Sequence, residues 1–186
     1  MTDQSNEPEQ TVWQGKYIAA RKKGTWEYVG RARGIRAAVI LAIDEEDRVI
    51  LVEQYRVPLG KPCIELPAGL IGDDDGAENE ADETAAAREL EEETGYVAER
   101  MENLGEFYSS PGMVTEGFTL LRAHGLKRVS EGGGTDSEDI TVHRVPLSRI
   151  ADAIEDWRAQ GKGIDVRMLL LLAPNILGAS AAVTAS

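Results

Sequence analysis

Four carboxylates fall within the run Arg88-Glu89-Leu90-Glu91-Glu92-Glu93-Thr94-Gly95, and no other run constrains the chain as tightly. At 3.6 residues per turn, Glu89, Glu92 and Glu93 stand at i, i+3 and i+4 of a helix and share one side of it. Like charges at that spacing lie only about 5–6 Å apart at Cβ and destabilise a helix. A hard divalent cation would offset that cost. Magnesium prefers carboxylate and carbonyl oxygens, keeps some of its waters and is commonly completed by substrate phosphates. A solvated acidic helix face is the plainer reading, and three glutamates alone would not displace it.

The surroundings change the balance. Glu80 stands eight positions before Arg88, and Gly95 falls where a left-handed cap is expected. Upstream, Glu65-Leu66-Pro67-Ala68-Gly69 bends the chain at the end of an apolar run. Gly69, Glu80, Arg88, Glu89, Leu90, Glu92, Glu93, Gly95 and Tyr96 together resemble the Nudix box. Two departures stand out. Tyr96 replaces the usual aliphatic residue, and ten residues, 70–79, separate Gly69 from Glu80 where the family has fewer. The excess reads as a loop insertion at 72–78, tolerated because closure entropy grows only logarithmically with length. Asp73 to Asp75 do not make an EF-hand loop. Counted from Gly76, the first ligand would be Ile71 and the last Asp82.

Composition bounds the alternatives. A chain of 186 residues is most simply one domain with its own core. Its net charge of −13 argues against a nucleic-acid partner, since phosphate backbones need a basic face. A small anionic substrate stays compatible if metal ions neutralise the site locally. Cys63 is the only cysteine, so no internal disulfide is expected, and no apolar run reaches membrane-spanning length. Residues 1–10 carry no secretory h-region, which leaves a cytoplasmic location and no membrane partner as the expectation.

The expected organisation is a polar tail at 1–10, a strand region at 11–35 serving dimerisation, a catalytic domain at 36–178 and a second tail at 179–186. Residues 11–20 and 26–31 read as a hairpin turning at Lys22-Lys23-Gly24. Further strands are expected at 36–43, 48–55, 62–66, 104–109, 117–123 and 139–146. Helices are expected at 80–94, 147–160 and 164–177, the last ended or kinked by Pro174. This order gives an α+β fold with a mixed sheet. The resemblance implies the Nudix α/β/α sandwich, extended by an amino-terminal β-hairpin.

Three segments point within the family to the ADP-ribose pyrophosphatase branch. They are Val52-Glu53-Gln54-Tyr55-Arg56, Ser109-Ser110-Pro111-Gly112-Met113-Val114-Thr115-Glu116 with its proline sixteen residues after Gly95, and Asp136-Ser137-Glu138-Asp139-Ile140. The resemblance implies magnesium (or manganese) held by Glu89, Glu92, Glu93, the carbonyl of Ala68 and Glu138. Arg88 is the arginine of the box and is expected to tie its helix to neighbouring carboxylates. Arg56 is expected to clamp phosphate, because a guanidinium fork matches phosphate oxygens. Glu65 joins it on the substrate side. The general base is left among Asp136, Glu138 and Glu116.

Trp26 and Glu27 resemble a segment that, in some relatives, stacks on and hydrogen-bonds the base across a homodimer interface. Burial of area in a core or interface is the competing role for Trp26 and Trp13. The expected reaction is metal-dependent conversion of ADP-ribose, a nucleoside diphosphate sugar, to AMP and ribose 5-phosphate. A GDP-sugar or dinucleotide substrate, or a non-catalytic nucleotide-sugar sensor, are the alternatives.

Overall fold

The computed structural model describes residues 6–33, 35–72, 80–135 and 138–172. The first ordered element is an antiparallel sheet of β1 (Glu9–Gln14), β2 (Ile18–Lys23) and β3 (Trp26–Arg31). The sequence reading gave one strand over 11–20; the chain instead turns at residues 15–17 and makes two. The next turn also differs from the expected Lys22-Lys23-Gly24, because Lys22 and Lys23 stay paired and the reversal falls on Gly24-Thr25. Gly24 takes φ +57, the conformation that only glycine adopts freely.

The centre is built by β4 (Arg36–Ala42) and β5 (Arg48–Arg56). Strand side chains alternate, and here both sides are apolar because both sides are covered. Val39 and Leu41 of β4, with Val49 and Leu51 of β5, enter a core that also holds Ile154 and Trp157. Ala38, Ile40 and Ala42, with Ile50, enter a second core with Ala86 and Leu90. Each fully buried Leu or Ile contributes about 1.5–3 kcal/mol.

A one-turn 3₁₀ segment at Val57–Leu59 leads into β6 (Lys61–Glu65), and the bend at Leu66-Pro67 opens β7 (Ala68–Ile71), a strand too short to be expected from sequence. Helix α1 (Asp82–Thr94) then packs on the second core. The strands β8 (Tyr96–Val97), β9 (Arg100–Tyr108), β10 (Gly117–His124), β11 (Lys127–Arg128) and β12 (Thr141–Pro146) follow, then α2 (Ile150–Ala159) and β13 (Gly163–Ile164).

Two four-stranded mixed sheets result, in the orders β7-β4-β10-β9 and β12-β5-β6-β13, with β10 parallel to β4 and β13 parallel to β6. α1 covers one core and α2 the other, which is an α/β/α arrangement. The expected helix at 164–177 is corrected: β13 ends at Ile164 and a 3₁₀ helix runs over Val166–Leu172. The Asp165 carboxylate accepts the Arg167 backbone N–H at 2.7 Å, and Met168 and Leu171, three residues apart, are buried as a three-residue turn requires. Pro174, residues 73–78 of the insertion read at 72–78 and both chain ends lie outside the described residues. Among the described residues no helix is long and apolar enough to cross a membrane.

Candidate active site

Helix α1 carries its acids where the macrodipole favours them least. Glu91, Glu92 and Glu93 occupy its last turn, and no basic residue accompanies them there. Two devices compensate. Gly95 caps the helix at φ +72, and the glycine loop after β11 supplies N–H donors to the orphan carbonyls. Gly133 N–H donates to the Glu93 carbonyl at 2.9 Å and Gly134 N–H to that of Glu92 at 3.0 Å. That loop leads straight to Glu138, so capping the helix also brings Glu138 beside it.

Glu93 is only 4 % exposed, and its Oε2 accepts the Ala68 N–H at 3.0 Å. Burial pushes its carboxyl up to about 8, the Ala68 N–H works against the rise, and the charges of Glu89 and Glu138 add to it. Glu89 is also raised, first by burial, with Arg88 opposing and Glu92 and Glu138 reinforcing. Glu89 lies over Gly69, where a Cβ would collide with its carboxylate. Glycine at 69 therefore leaves the Glu89 carboxylate its place over β7.

These groups line a cavity of about 800 Å³. Glu89, Glu93 and Glu138 form one wall, and Arg56, Glu65, Asp165 and Arg167 form another. Arg56 donates from Nε and Nη2 to the two oxygens of Glu65, at 2.6 and 2.8 Å. Glu65, 3 % exposed, also accepts Arg167 Nη2 at 3.3 Å, and Arg167 is held by Asp165 at 2.6 and 2.8 Å. The Arg56 fork is thus committed along one edge, through Nε and Nη2, while the residue lines the cavity. Cys63 also lines the cavity, but burial pushes its thiol up to about 11, so it is no nucleophile at neutral pH.

The cavity does not gather every residue named from the sequence. Glu89, Glu93, Glu138, Ala68, Arg56, Glu65 and Glu116 line it. Glu92 does not; it points to a separate surface with Arg88 and Gly134, and Arg88 Nη1 reaches it at 3.4 Å. Arg88 also binds Glu89 at 2.9 Å and approaches Glu80 at 3.7 Å, tying the helix to its carboxylates.

Glu116 is engaged by Arg31 at 2.5 Å. Trp26 lines a cavity of about 380 Å³ with Tyr28 and Pro111, while Glu27 is exposed and 3.7 Å from Lys22. Asp136 lies outside the described residues. Arg31, Asp165 and Arg167 were not anticipated. Arg31 and Arg167 have their partners, Glu116 and Glu65, 85 and 102 residues away in sequence, and no local spacing signals such pairs; Asp165 enters the site through Arg167, two residues on. His124 and His143, given no role from sequence, bind Glu102 and Glu53 across strands.

The set suits a hard cation. Glu89, Glu93 and Glu138 offer oxygen donors with mutually repelling charges, and Gly69 provides a cradle that a Cβ would fill. Among the described residues, however, no three acidic, histidine or cysteine side chains are already drawn in to ligand distance.

Residues 33–162 match the NUDIX domain model. Over 103 residues the chain is 41 % identical to the methanol dehydrogenase activator of Bacillus methanolicus, covering 55 % of this chain and 53 % of that protein. It is 34 % identical over 120 residues to the ADP-ribose pyrophosphatase of Bacillus subtilis (strain 168), covering 64 % and 62 %. It is 39 % identical over 148 residues to the GDP-mannose pyrophosphatase of Cronobacter sakazakii, covering 75 % and 72 %. The chain thus spans under two thirds of the length of the first two. A solved structure titled as an ADP compounds hydrolase superposes with a TM-score of 0.67 and 23 % identity over 92 % of both chains, which is a likeness of fold. With the family model matching well over half of its length, the chain belongs to the NUDIX domain family.

Proposed function

We propose that the protein hydrolyses the diphosphate of a nucleoside diphosphate sugar, ADP-ribose first among them, to AMP and ribose 5-phosphate. One observation carries this: a single cavity sets Glu89, Glu93 and Glu138 against the Arg56 guanidinium. A diphosphate needs cations on both sides, and this arrangement supplies a metal-binding wall and a fixed organic cation.

Glu89 and Glu93 would hold magnesium, with Glu138 and the Ala68 carbonyl completing the set. Glu89 and Glu138 must turn inward over Glu93 to close it. When bound, the ion neutralises phosphate charge and acidifies a water. Arg56 presents Nη1 to a phosphate oxygen while Glu65 and Arg167 fix its plane. Glu138 Oε2 accepts the Thr135 N–H and Oγ1 at 3.0 and 3.2 Å, so a small loop movement frees it to take a proton from water. Glu116 is held by Arg31 and is the less available base.

The test is a panel of nucleoside diphosphate sugars with magnesium or manganese. ADP-ribose turnover is expected, EDTA should abolish it and added magnesium restore it; no ADP-ribose turnover rejects the first choice. Glu93→Gln should lower kcat at least about a hundredfold, more than the loss typical of an outer-shell residue. A GDP-sugar is the second reading, favoured by the 39 % identity to a GDP-mannose pyrophosphatase.

The same proposal includes a homodimer. Val12, Trp13, Tyr17, Ile18 and Trp26 leave large apolar side chains exposed on or beside the amino-terminal sheet, Trp26 at 55 %. Sedimentation equilibrium should give twice the 20.2 kDa chain mass. A monomer at assay concentration rejects it.

A further inference from the structure

The acidic cavity has a further side that the diphosphate leaves unused. Next to Arg56 its lining turns apolar, with Pro58, Leu59, Ile164 and Val166, and carries one neutral polar side chain, Gln54. The charges bordering this end are already matched, Arg56 by Glu65 and Arg167 by Glu65 and Asp165. Leu59 and Val166 are each 54 % exposed, so the apolar surface is open to a ligand and not sealed into the core.

The chain holds this end in place. Pro58 falls in the first turn of the 3₁₀ segment, and Gly60 closes that segment at φ +64, its N–H donating to the Arg56 and Val57 carbonyls at 2.9 and 3.1 Å. Leu59 lies against β13, where a Cβ on Gly163 would stand 3.4 Å from Leu59 Cδ1. The Asp165 N–H donates to the Ile64 carbonyl at 3.0 Å, which fixes the backbone between Ile164 and Val166. Gln54 stands opposite Cys63 in the ladder of β5 and β6. Strand alternation turns it away from its neighbour Glu53, which is held by His143 and Lys162, each at 2.8 Å. The half-buried Gln54 amide has no hydrogen-bond partner among the described residues.

We infer that this end is a nucleobase subsite, with the aliphatic side chains against the ring face and the Gln54 amide at its edge. The inference rests on the proposed hydrolase reading and locates one end of its substrate. A sugar placed here would turn its hydroxyls towards aliphatic side chains that cannot satisfy them. A base has apolar faces and an edge on which donor and acceptor stand side by side. An amide carries one of each and meets such an edge at two points. Trp26 lines a cavity that shares no residue with this one. The same chemistry is met by the base of a nucleoside diphosphate sugar and by the second base of a dinucleotide.

The experiment is calorimetric titration of the full chain, in magnesium, with AMP and with ribose 5-phosphate, which lacks the base. Wild-type protein should bind AMP at least about tenfold more tightly. Gln54→Ala should narrow that gap about fivefold and Leu59→Ser about threefold, each leaving the affinity for ribose 5-phosphate unchanged. No wild-type preference, or equal losses on both ligands, overturns the subsite. Trp26→Ala closing the gap while the other two variants leave it intact also overturns it, and moves the base to the aromatic cavity.

Kinetics on ADP-ribose and on diadenosine diphosphate separate the two sources. A KM rise for Gln54→Ala on ADP-ribose assigns the subsite to the base of the nucleotide sugar, and a rise on diadenosine diphosphate alone assigns it to a second base. A rise on neither overturns the inference. Failure of wild-type protein to hydrolyse either compound sinks the hydrolase reading separately, and the calorimetric contrast then still decides the subsite.

Discussion

Glu65 is the most tightly held side chain of the candidate site, accepting from two guanidinium groups while almost wholly buried. Replacing it by alanine removes the counter-charge of Arg56 and one of the two carboxylates on Arg167, which keeps Asp165. Arg56 is 40 % exposed and can recover solvent, whereas Arg167 cannot readily do so. Glu65→Ala should therefore cost about 3 kcal/mol, the lower end for breaking a buried pair, read as a shift in urea midpoint. An unchanged midpoint would show the network to be idle. Gly69→Ala tests the opposite kind of residue. The atoms its new methyl meets first belong to the Glu89 side chain from Cγ outward and not to backbone, so stability should barely move while the displaced carboxylate lowers kcat/KM about a hundredfold.

Much at this scale was readable in advance, and the exceptions have physical causes. Glu89 and Glu93 announce themselves because helical spacing is local. Glu92 and Glu93 are neighbours in sequence and so point about 100° apart on a helix, and only Glu93 faces the cavity. The box spacing cannot make that distinction. Arg167 was invisible because its partner Glu65 comes from a different strand, brought close only by the pairing of β6 with β13.

Among the elements, β4 and β5 were legible as apolar runs, and α1 as a helix closed by glycine. The short pieces were not. β7, β8, β11 and β13 have four residues or fewer, too few for any alternation to declare itself. The turn between β1 and β2 was lost because apolar residues stand on both sides of it, Val12 and Trp13 before and Tyr17 and Ile18 after, and read as one run. The joint between α1 and the glycine loop is the most demanding element. Gly95 is left-handed, and a Cβ there would run into the backbone at Ser130. Gly95→Ala should destabilise the protein by more than the roughly 1–2 kcal/mol of conformational strain alone, measured by urea unfolding. A smaller loss would mean that the loop does not seat against the helix.

For the molecule as a whole, the buried acid sets a pH dependence with a definite sign. Glu93 titrates near 8 when folded against an ordinary 4.5, so the folded state holds a proton that the unfolded chain releases. Its contribution is fully present below pH 4.5 and is lost as pH rises towards 8. The lowered carboxyls of Glu53 and Asp165 act in a different window. Each is raised by burial as its first cause, yet its basic partners outweigh that and bring it down, so their contribution is lost only on acidification below about pH 4. In EDTA, melting temperature should fall between pH 5 and 8, and Glu93→Gln should flatten that fall. A variant curve parallel to wild type would remove Glu93 as the source.

The capping of α1 by the glycine loop has one more consequence. The Gly133 and Gly134 amides are locked to the carbonyls of Glu93 and Glu92 in the last turn of α1, while Glu138 rides on the same strap. Those two protons are natural spectators of occupancy. Their exchange with deuterium should slow when a cation and nucleotide settle in the cleft, giving a tally of binding that needs neither label nor turnover.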